Sequence, residues 1–409
     1  MRLAVTAVLV GAALLAAGCG GSSDTHRTLL IAVNAPFSKQ SALGESIARG
    51  TQLAVQQIND SGGVFGHGTT YTFRVRRYDD GLSAQTAVAN VRHAIADGAV
   101  AIVDEGTGVD ASWQRANAAG VPIGIVHQGG SDLVNPQTRP NVFRIVPTDH
   151  GLAFRFAEYL SRRHLRPAVL HEDSQYGQAG AAALRKAYSF DPKAITTSIE
   201  VSSDASDLSA PVLRARKSHP SALLVWGGPG TIAGAVRAAR RSGWDVPIFA
   251  PPDAADPLVR QELSDHPEWL DGLTFADGRL TAEVGPGPYY AFVDAYGAAF
   301  GREPVGVKTK EGQPVYAVPE YAMYASDFVN VLAAAVRRAG GASDGKKLVA
   351  ALNQVTVRGA NGDERGFNQN NHEGVVDDDV YFAVFHDMTF KPVQDDPLSA
   401  TLPALRQVP

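Results

Sequence analysis

The chain is poor in sulfur and in charge. It has one cysteine and three methionines in 409 residues, and Asp, Glu, Lys and Arg together make up 19%. One cysteine excludes an internal disulfide framework. No basic run is present, because Arg162-Arg163 and Arg240-Arg241 are isolated pairs. The electrostatic footprint of a nucleic-acid-binding protein is therefore missing. Also missing are a Walker loop and H-E-x-x-H. Gly227-Gly228-Pro229-Gly230 is glycine-rich but lacks the lysine and spacing for phosphate, and reads as a tight strand-to-helix turn. No enzyme activity, cofactor or metal is expected. After the first twenty residues there is no long hydrophobic run.

What the sequence has is an ordinary globular composition, 44% apolar, with 41 glycines and 24 prolines that imply many tight turns. Its length allows two lobes with separate cores. The formal net charge of −5 serves solubility. At the N-terminus, Arg2 precedes an uncharged apolar run from Leu3 to Ala17, too short to span a bilayer comfortably. Small residues Ala16, Ala17 and Gly18 then lead to Cys19. This is a signal peptide over 1–18. It resembles a bacterial lipoprotein signal, in which the cysteine becomes the acylated N-terminus. Such signals usually carry Leu three residues before the cysteine, where this chain has Ala16. Residues 19–27 form the tether, opening with the flexible Gly20-Gly21-Ser22-Ser23-Asp24. Plain secretion with a chance cysteine is the alternative.

The periodicities alternate between strand and helix. Thr28 to Val33 reads as a buried strand and Glu45 to Ile58 as a helix, with Gly50 placed where the helix approaches a sheet. Thr70 to Tyr78 alternates as a strand. Ser83 to Asp97 is helical, with Ser83 as N-cap and Gly98 beyond its end. Strands at 99–103 and 121–126 flank a short helix at 112–119. The same alternation restarts after Arg144 and runs to Ala250. Helices follow at 289–300 and 321–339, then a polar solvated loop over 358–376 and a terminal hairpin over 379–393. The expected class is α/β, with parallel sheets flanked by helices. Asp377 to Asp379 lack the G-x₅-E pattern of a calcium loop.

Residues 35–66, APFSKQSALGESIARGTQLAVQQINDSGGVFG, carry a P-x-S loop, a helix ending in I-N and a G-G-x-x-G turn. Downstream, in order, come Tyr78-Asp79-Asp80, Ala119-Gly120-Val121-Pro122, Asn141-Val142-Phe143-Arg144 and DSQYG at 173–177. Trp226-Gly227-Gly228, FAPPD at 249–253, YGAAFGREP at 296–304 and Arg338-Ala339-Gly340 complete the series. Together they resemble type I periplasmic binding proteins of the leucine/isoleucine/valine-binding class. The resemblance implies two Rossmann-like lobes joined by a three-segment hinge. Lobe 1 would take 28–145 and 280–357, lobe 2 would take 146–279 and 358–395, and 396–409 would be a loosely packed tail.

The resemblance also implies an exported, lipid-anchored or periplasmic monomer. It would capture an amino acid or amide-like solute by closure of the lobes and deliver it to an ABC permease. A module presenting ligand to a membrane receptor is the alternative. Other members take amides, urea, aromatic acids or peptide-like compounds. The implied ligand residues are Ser38, Thr107, His127, Gln128, Gly129, Tyr176 and Asp253. Thr107 would offer its hydroxyl and a backbone N–H to a carboxylate, or cap a helix. His127 and Gln128 would donate to an acyl or amide group, with no second His or Cys at metal spacing. Tyr176 would close over the ligand or pack on a lobe face. Asp253 would pair with an ammonium or cap the helix before Pro257. Ser38 is a loop contact or a turn residue, and Trp226 belongs to the core. Glu105 and Asp110 flank Thr107 and would repel a carboxylate there.

Overall fold

A computed structural model describes residues 25–278, 288–301, 304–308, 311–316, 318, 320–375 and 380–402. The signal segment, Cys19, residues 20–24 of the tether, Asp377 to Asp379 and the end of the tail lie outside the described residues.

The first sheet contains β1 (Thr25–Ala35), β2 (Val64–Gly66), β3 (Thr69–Asp79), β4 (Ala99–Asp104), β5 (Ile123–Ile125) and β6 (Val142–Arg144) in the order β2-β3-β1-β4-β5-β6. Only β2 runs antiparallel to its neighbour. The strands of the second sheet are β7 (Pro167–Glu172), β8 (Thr197–Val201), β9 (Ala222–Trp226), β10 (Ile248–Ala250) and β11 (Thr274–Gly278), which are parallel. Two short hairpins come next in the chain, β12 (Pro304–Lys308) with β13 (Pro314–Tyr316), and β14 (Thr356–Arg358) with β15 (Glu364–Gly366). Then β16 (Val380–His386) and β17 (Thr389–Pro392) join the second sheet as an antiparallel edge, giving β17-β16-β11-β10-β9-β7-β8. The sheets are thus parallel at their centres and mixed at their edges.

Period-two burial explains why both faces of each sheet are covered. In β1, Ile31, Val33 and Ala35 enter one core cluster, while Leu30 and Ala32 enter another. In β9, Leu223 and Val225 face one way, and Ala222, Leu224 and Trp226 the other. Trp226 is fully buried, as the sequence implied.

The helices are α1 (Ser41–Asp60), α2 (Ala84–Ala96), α3 (Val109–Ala118), α4 (Asp149–Arg162), α5 (Gln175–Ala187), α6 (Ser209–Arg216), α7 (Pro229–Arg241), α8 (Pro257–Glu262), α9 (Pro288–Phe300), α10 (Glu320–Ala339) and α11 (Gly345–Leu352). Side-chain caps start several of them: Ser83 on α2, Thr148 on α4, Ser174 on α5 and Asp256 on α8. Gly98 follows α2 at φ +80°, the left-handed exit expected of it. Gly50 lies against a helix rather than a sheet. A methyl group there would strike the backbone of Ala322, so α1 and α10 cross at backbone contact.

Three boundaries differ from the sequence reading. Residues 358–375, assigned to the second lobe as a solvated loop, pack on the first. Phe367 and Val375 are in its core cluster, and buried Arg365 donates to Asp327 at 3.1 Å. The hairpin β12–β13, assigned to the first lobe, lies against α8, and Val315 is buried in a second-lobe cluster. The tail is anchored at its start: Asp396 is fully buried, with Arg155 at 2.8 Å, Arg162 at 2.7 Å and the Ser399 hydroxyl donating to it.

Candidate functional site

The carboxyl ends of the central strands of both sheets meet. Each sheet reverses its winding direction there, at β1/β4 and at β7/β9, which is where open α/β sheets form crevices. From the first lobe, β4 ends at Asp104 with Glu105 directly after it, and β5 leads into His127-Gln128-Gly129. From the second, β10 leads to Asp253, and Tyr176 sits in the first turn of α5. Tyr321 comes from the start of α10.

His127, 4% exposed, is the hub. Its Nε2 is 3.2 Å from Asp253 Oδ1 in the facing lobe, and its Nδ1 is 3.5 Å from Glu105 Oε2 in its own. The Tyr176 and Tyr321 rings each lie 4.8 Å from the imidazole, centroid to centroid. Both phenols donate to Asp253 Oδ2, at 2.7 and 3.0 Å. Burial alone would lower the His127 pKa, but Asp253 and Glu105 outweigh it and push it up to about 10. His127 is therefore an imidazolium at neutral pH. Glu105 is raised by burial but lowered further by His127 and by Thr107, so its carboxyl stays ionised.

Behind this pair the loop after β4 folds on itself. The Gly106 N–H donates to Asp104 Oδ1 and the Thr107 N–H to Glu105 Oε1, both at 2.7 Å. The Gly108 N–H donates across the lobes to Gln175 Oε1 at 3.3 Å. Gln128 Nε2 donates to the Thr107 hydroxyl at 2.8 Å and to Glu105 at 3.2 Å. Burial raises Asp104 to about 7, and the neighbouring Glu105 adds to the shift. Asp80 is raised to about 8, by burial first and then by Glu105.

Asp149, the first residue of α4, stands at the side of the hub. Its N–H donates to the Gly129 carbonyl at 2.8 Å, and a methyl group on Gly129 would collide with its Oδ1. It is 1% exposed, and neither carboxyl oxygen accepts a hydrogen bond among the described residues. Burial raises it to about 7; Arg144 and His127 pull the other way, and Asp253 adds to the rise. In the second lobe Glu172 collects the Gly228 N–H and the hydroxyls of Thr231 and Ser174 at 2.6–2.9 Å.

The structure thus brings together Thr107, His127, Gln128, Gly129, Tyr176 and Asp253. Ser38 stands apart: it is exposed and its N–H donates to Asp79 Oδ1 at 3.2 Å. Thr107 is not the cap of α3, a position held by Gly108, and Asp256 rather than Asp253 caps α8. Sequence reasoning passed over Asp149 and Tyr321, and gave Glu105 no role as the partner of His127. The Thr148-Asp149 pair that opens α4 is the signal that marks Asp149.

Two α/β lobes with a polar cluster built from both define a two-lobed binding protein. A family model described as periplasmic binding protein matches residues 29–387, and the chain belongs to that family, in its type I architecture. Among curated proteins it is similar to Leu/Ile/Val-binding protein homolog 7 of Brucella suis biovar 1, 31% identical over 187 residues. That match covers 42% of this chain and 44% of the relative, so the chain spans less than half the length of that protein. A periplasmic binding protein type 1 from Bordetella pertussis superposes with TM-score 0.77 at 21% identity, covering 90% of this chain and all of that one. The branched-chain amino acid transporter substrate-binding protein LivJ from Streptococcus pneumoniae, solved with isoleucine, gives 0.73 at 20%, covering 89% and 98%. A solute-binding protein of an ABC transporter from Rhodopseudomonas palustris, solved with benzoate, gives 0.73 at 16%, covering 90% and 96%. At these identities the structures bear on the fold alone.

Proposed function

We propose that the protein is the extracytoplasmic solute-binding component of an ABC transporter, and that it holds a small polar solute where the lobes meet at His127. The observation that supports this reading is the convergence on one point of side chains from both lobes: His127, Glu105 and Tyr321 from one, Asp253 and Tyr176 from the other. A solute touching both sets favours the closed arrangement over the open one, which is how binding becomes a shape that a permease can read. In this reading the protein acts as a monomer, and Cys19 carries the lipid anchor after removal of residues 1–18.

Thermal unfolding of the purified protein against amino acids, amides, aromatic acids, amines and sugars tests the binding role. A true ligand at a hundredfold excess over its dissociation constant stabilises the fold by about 2.7 kcal/mol. The shift should disappear in Asp253→Asn. Labelled palmitate incorporated in the wild type and absent from Cys19→Ala would support the anchor, and equal labelling of both would remove it.

A further inference from the structure

Resting on the solute-binding reading, the donors and acceptors of the cleft specify the charge of the solute. A carboxylate entering the cleft needs N–H or O–H donors. The three successive N–H groups of Gly106, Thr107 and Gly108 already serve Asp104, Glu105 and Gln175. The amide of Gln128 serves Glu105 and Thr107, and the donors around Gly228 serve Glu172. Those donors are taken by the protein's own side chains; His127 Nδ1 makes no hydrogen bond among the described residues, but it faces Glu105 Oε2 at 3.5 Å.

The cation-binding capacity of the site is not filled. His127 stands between two carboxyl groups, Glu105 at 3.5 Å and Asp253 at 3.2 Å. Arg144 spends its guanidinium on Glu373, at 2.6 and 2.7 Å, and on the carbonyls of Gln128 and Gly130. That leaves the Asp149 carboxyl, buried beside Gly129, with both oxygens unbonded among the described residues. A buried carboxylate without a partner carries the full desolvation cost, and a positive group brought to it recovers that cost. The rings of Tyr176 and Tyr321, each 4.8 Å from the imidazole, add aromatic surface of the kind that suits an organic cation.

We infer that the solute is an organic cation without a free carboxylate, an amine whose ammonium is taken by Asp149. An α-amino acid would bring a carboxylate for which the only unbonded donor among those named is His127 Nδ1, itself set against Glu105. A simple acid would meet Asp149, Glu105 and Asp253 with no second cation in reserve.

Two isosteric sets separate head group from hydrocarbon: benzylamine, benzoate, benzamide and phenylalanine, and butylamine, butyrate, butyramide and leucine. Calorimetric titration and thermal unfolding of the purified protein at pH 8 should show binding by one or both amines, at least tenfold tighter than by the matching acid, amide or amino acid. Asp149→Asn should abolish amine binding while the unliganded protein still unfolds cooperatively. Binding by an acid, amide or amino acid in preference to the amines overturns the cation assignment and leaves the solute-binding reading standing. Amine binding that survives in Asp149→Asn overturns the role of Asp149. Silence from all eight compounds counts against both readings.

Discussion

His127 of the first lobe and Asp253 of the second face each other at 3.2 Å, buried, with Glu105 behind the imidazole at 3.5 Å. One cation is thus shared by two carboxylates across the junction of the lobes. Removing it leaves two buried carboxyl groups without their shared partner. His127→Gln should lower stability by about 3–5 kcal/mol, the cost of breaking a buried pair from one side. Urea unfolding at pH 7 measures this, and a loss under about 1 kcal/mol would mean that the bridge is not ionised.

The same pair sets a pH dependence. The His127 pKa is raised from 6.5 to about 10 in the folded protein. Its contribution is complete below the unfolded value of 6.5 and is lost as pH climbs through 10. The groups acting on it are Glu105 after β4, Asp253 and Asp256 after β10, and Asp149 at the start of α4. The difference in urea midpoint between wild type and His127→Gln should therefore shrink between pH 7 and 10. A constant difference would contradict the raised pKa.

Asp149 has the opposite sign. Its pKa rises from 3.8 to about 7, so the folded state disfavours the charged form. The penalty is absent below pH 3.8 and grows until about pH 7, on the order of 1.4 kcal/mol per unit. Asp149→Asn should stabilise the unliganded protein at pH 8 by up to a few kcal/mol and have little effect at pH 4. Equal stability at pH 8 would show that the carboxyl finds a partner after all.

Asp253 Oδ2 accepts from two phenols, Tyr176 at 2.7 Å and Tyr321 at 3.0 Å. Each single Tyr→Phe change leaves the other donor in place and should cost about 1 kcal/mol. The double change strips the oxygen of both, and should cost more than the sum of the two. A double-mutant cycle measures this coupling, expected at about 0.5–3 kcal/mol. Strict additivity would mean that the two hydroxyls act independently.

Gly50→Ala tests the helix crossing. The added methyl meets the Ala322 backbone, which cannot swing aside as a side chain end can. A loss of about 3 kcal/mol or more is expected from overpacking, although alanine favours a helix over glycine. A more stable variant would show that α1 and α10 sit farther apart.

The α/β alternation, the helix caps and the core strands were legible because they rest on local rules: period-two burial in β1 and β9, Ser83 ahead of α2, Gly98 behind it. The meeting of Thr107, His127, Gln128, Tyr176 and Asp253 was legible only through the family resemblance, since no spacing rule links residue 127 to residue 253. What stayed hidden is what the side chains do once they meet. Glu105 read as a hindrance beside Thr107, yet it holds His127 charged. Asp149 went unread, and its isolation depends on where Arg144 sends its guanidinium. The contact of Gly50 with Ala322 and the ion pairs of Arg365 with Asp327 and Glu373 with Arg144 join residues 272, 38 and 229 positions apart, beyond the reach of any window along the chain.

The crossing of α1 with α10 also has a consequence for the order of assembly. Helix α10 is made near the end of the chain, yet it supplies a large part of the core around β1. The second sheet likewise waits for β16 and β17. Neither lobe can complete its core until the last quarter of the polypeptide is free to fold. Closing such long loops slows folding, and that delay suits the extracytoplasmic role proposed above.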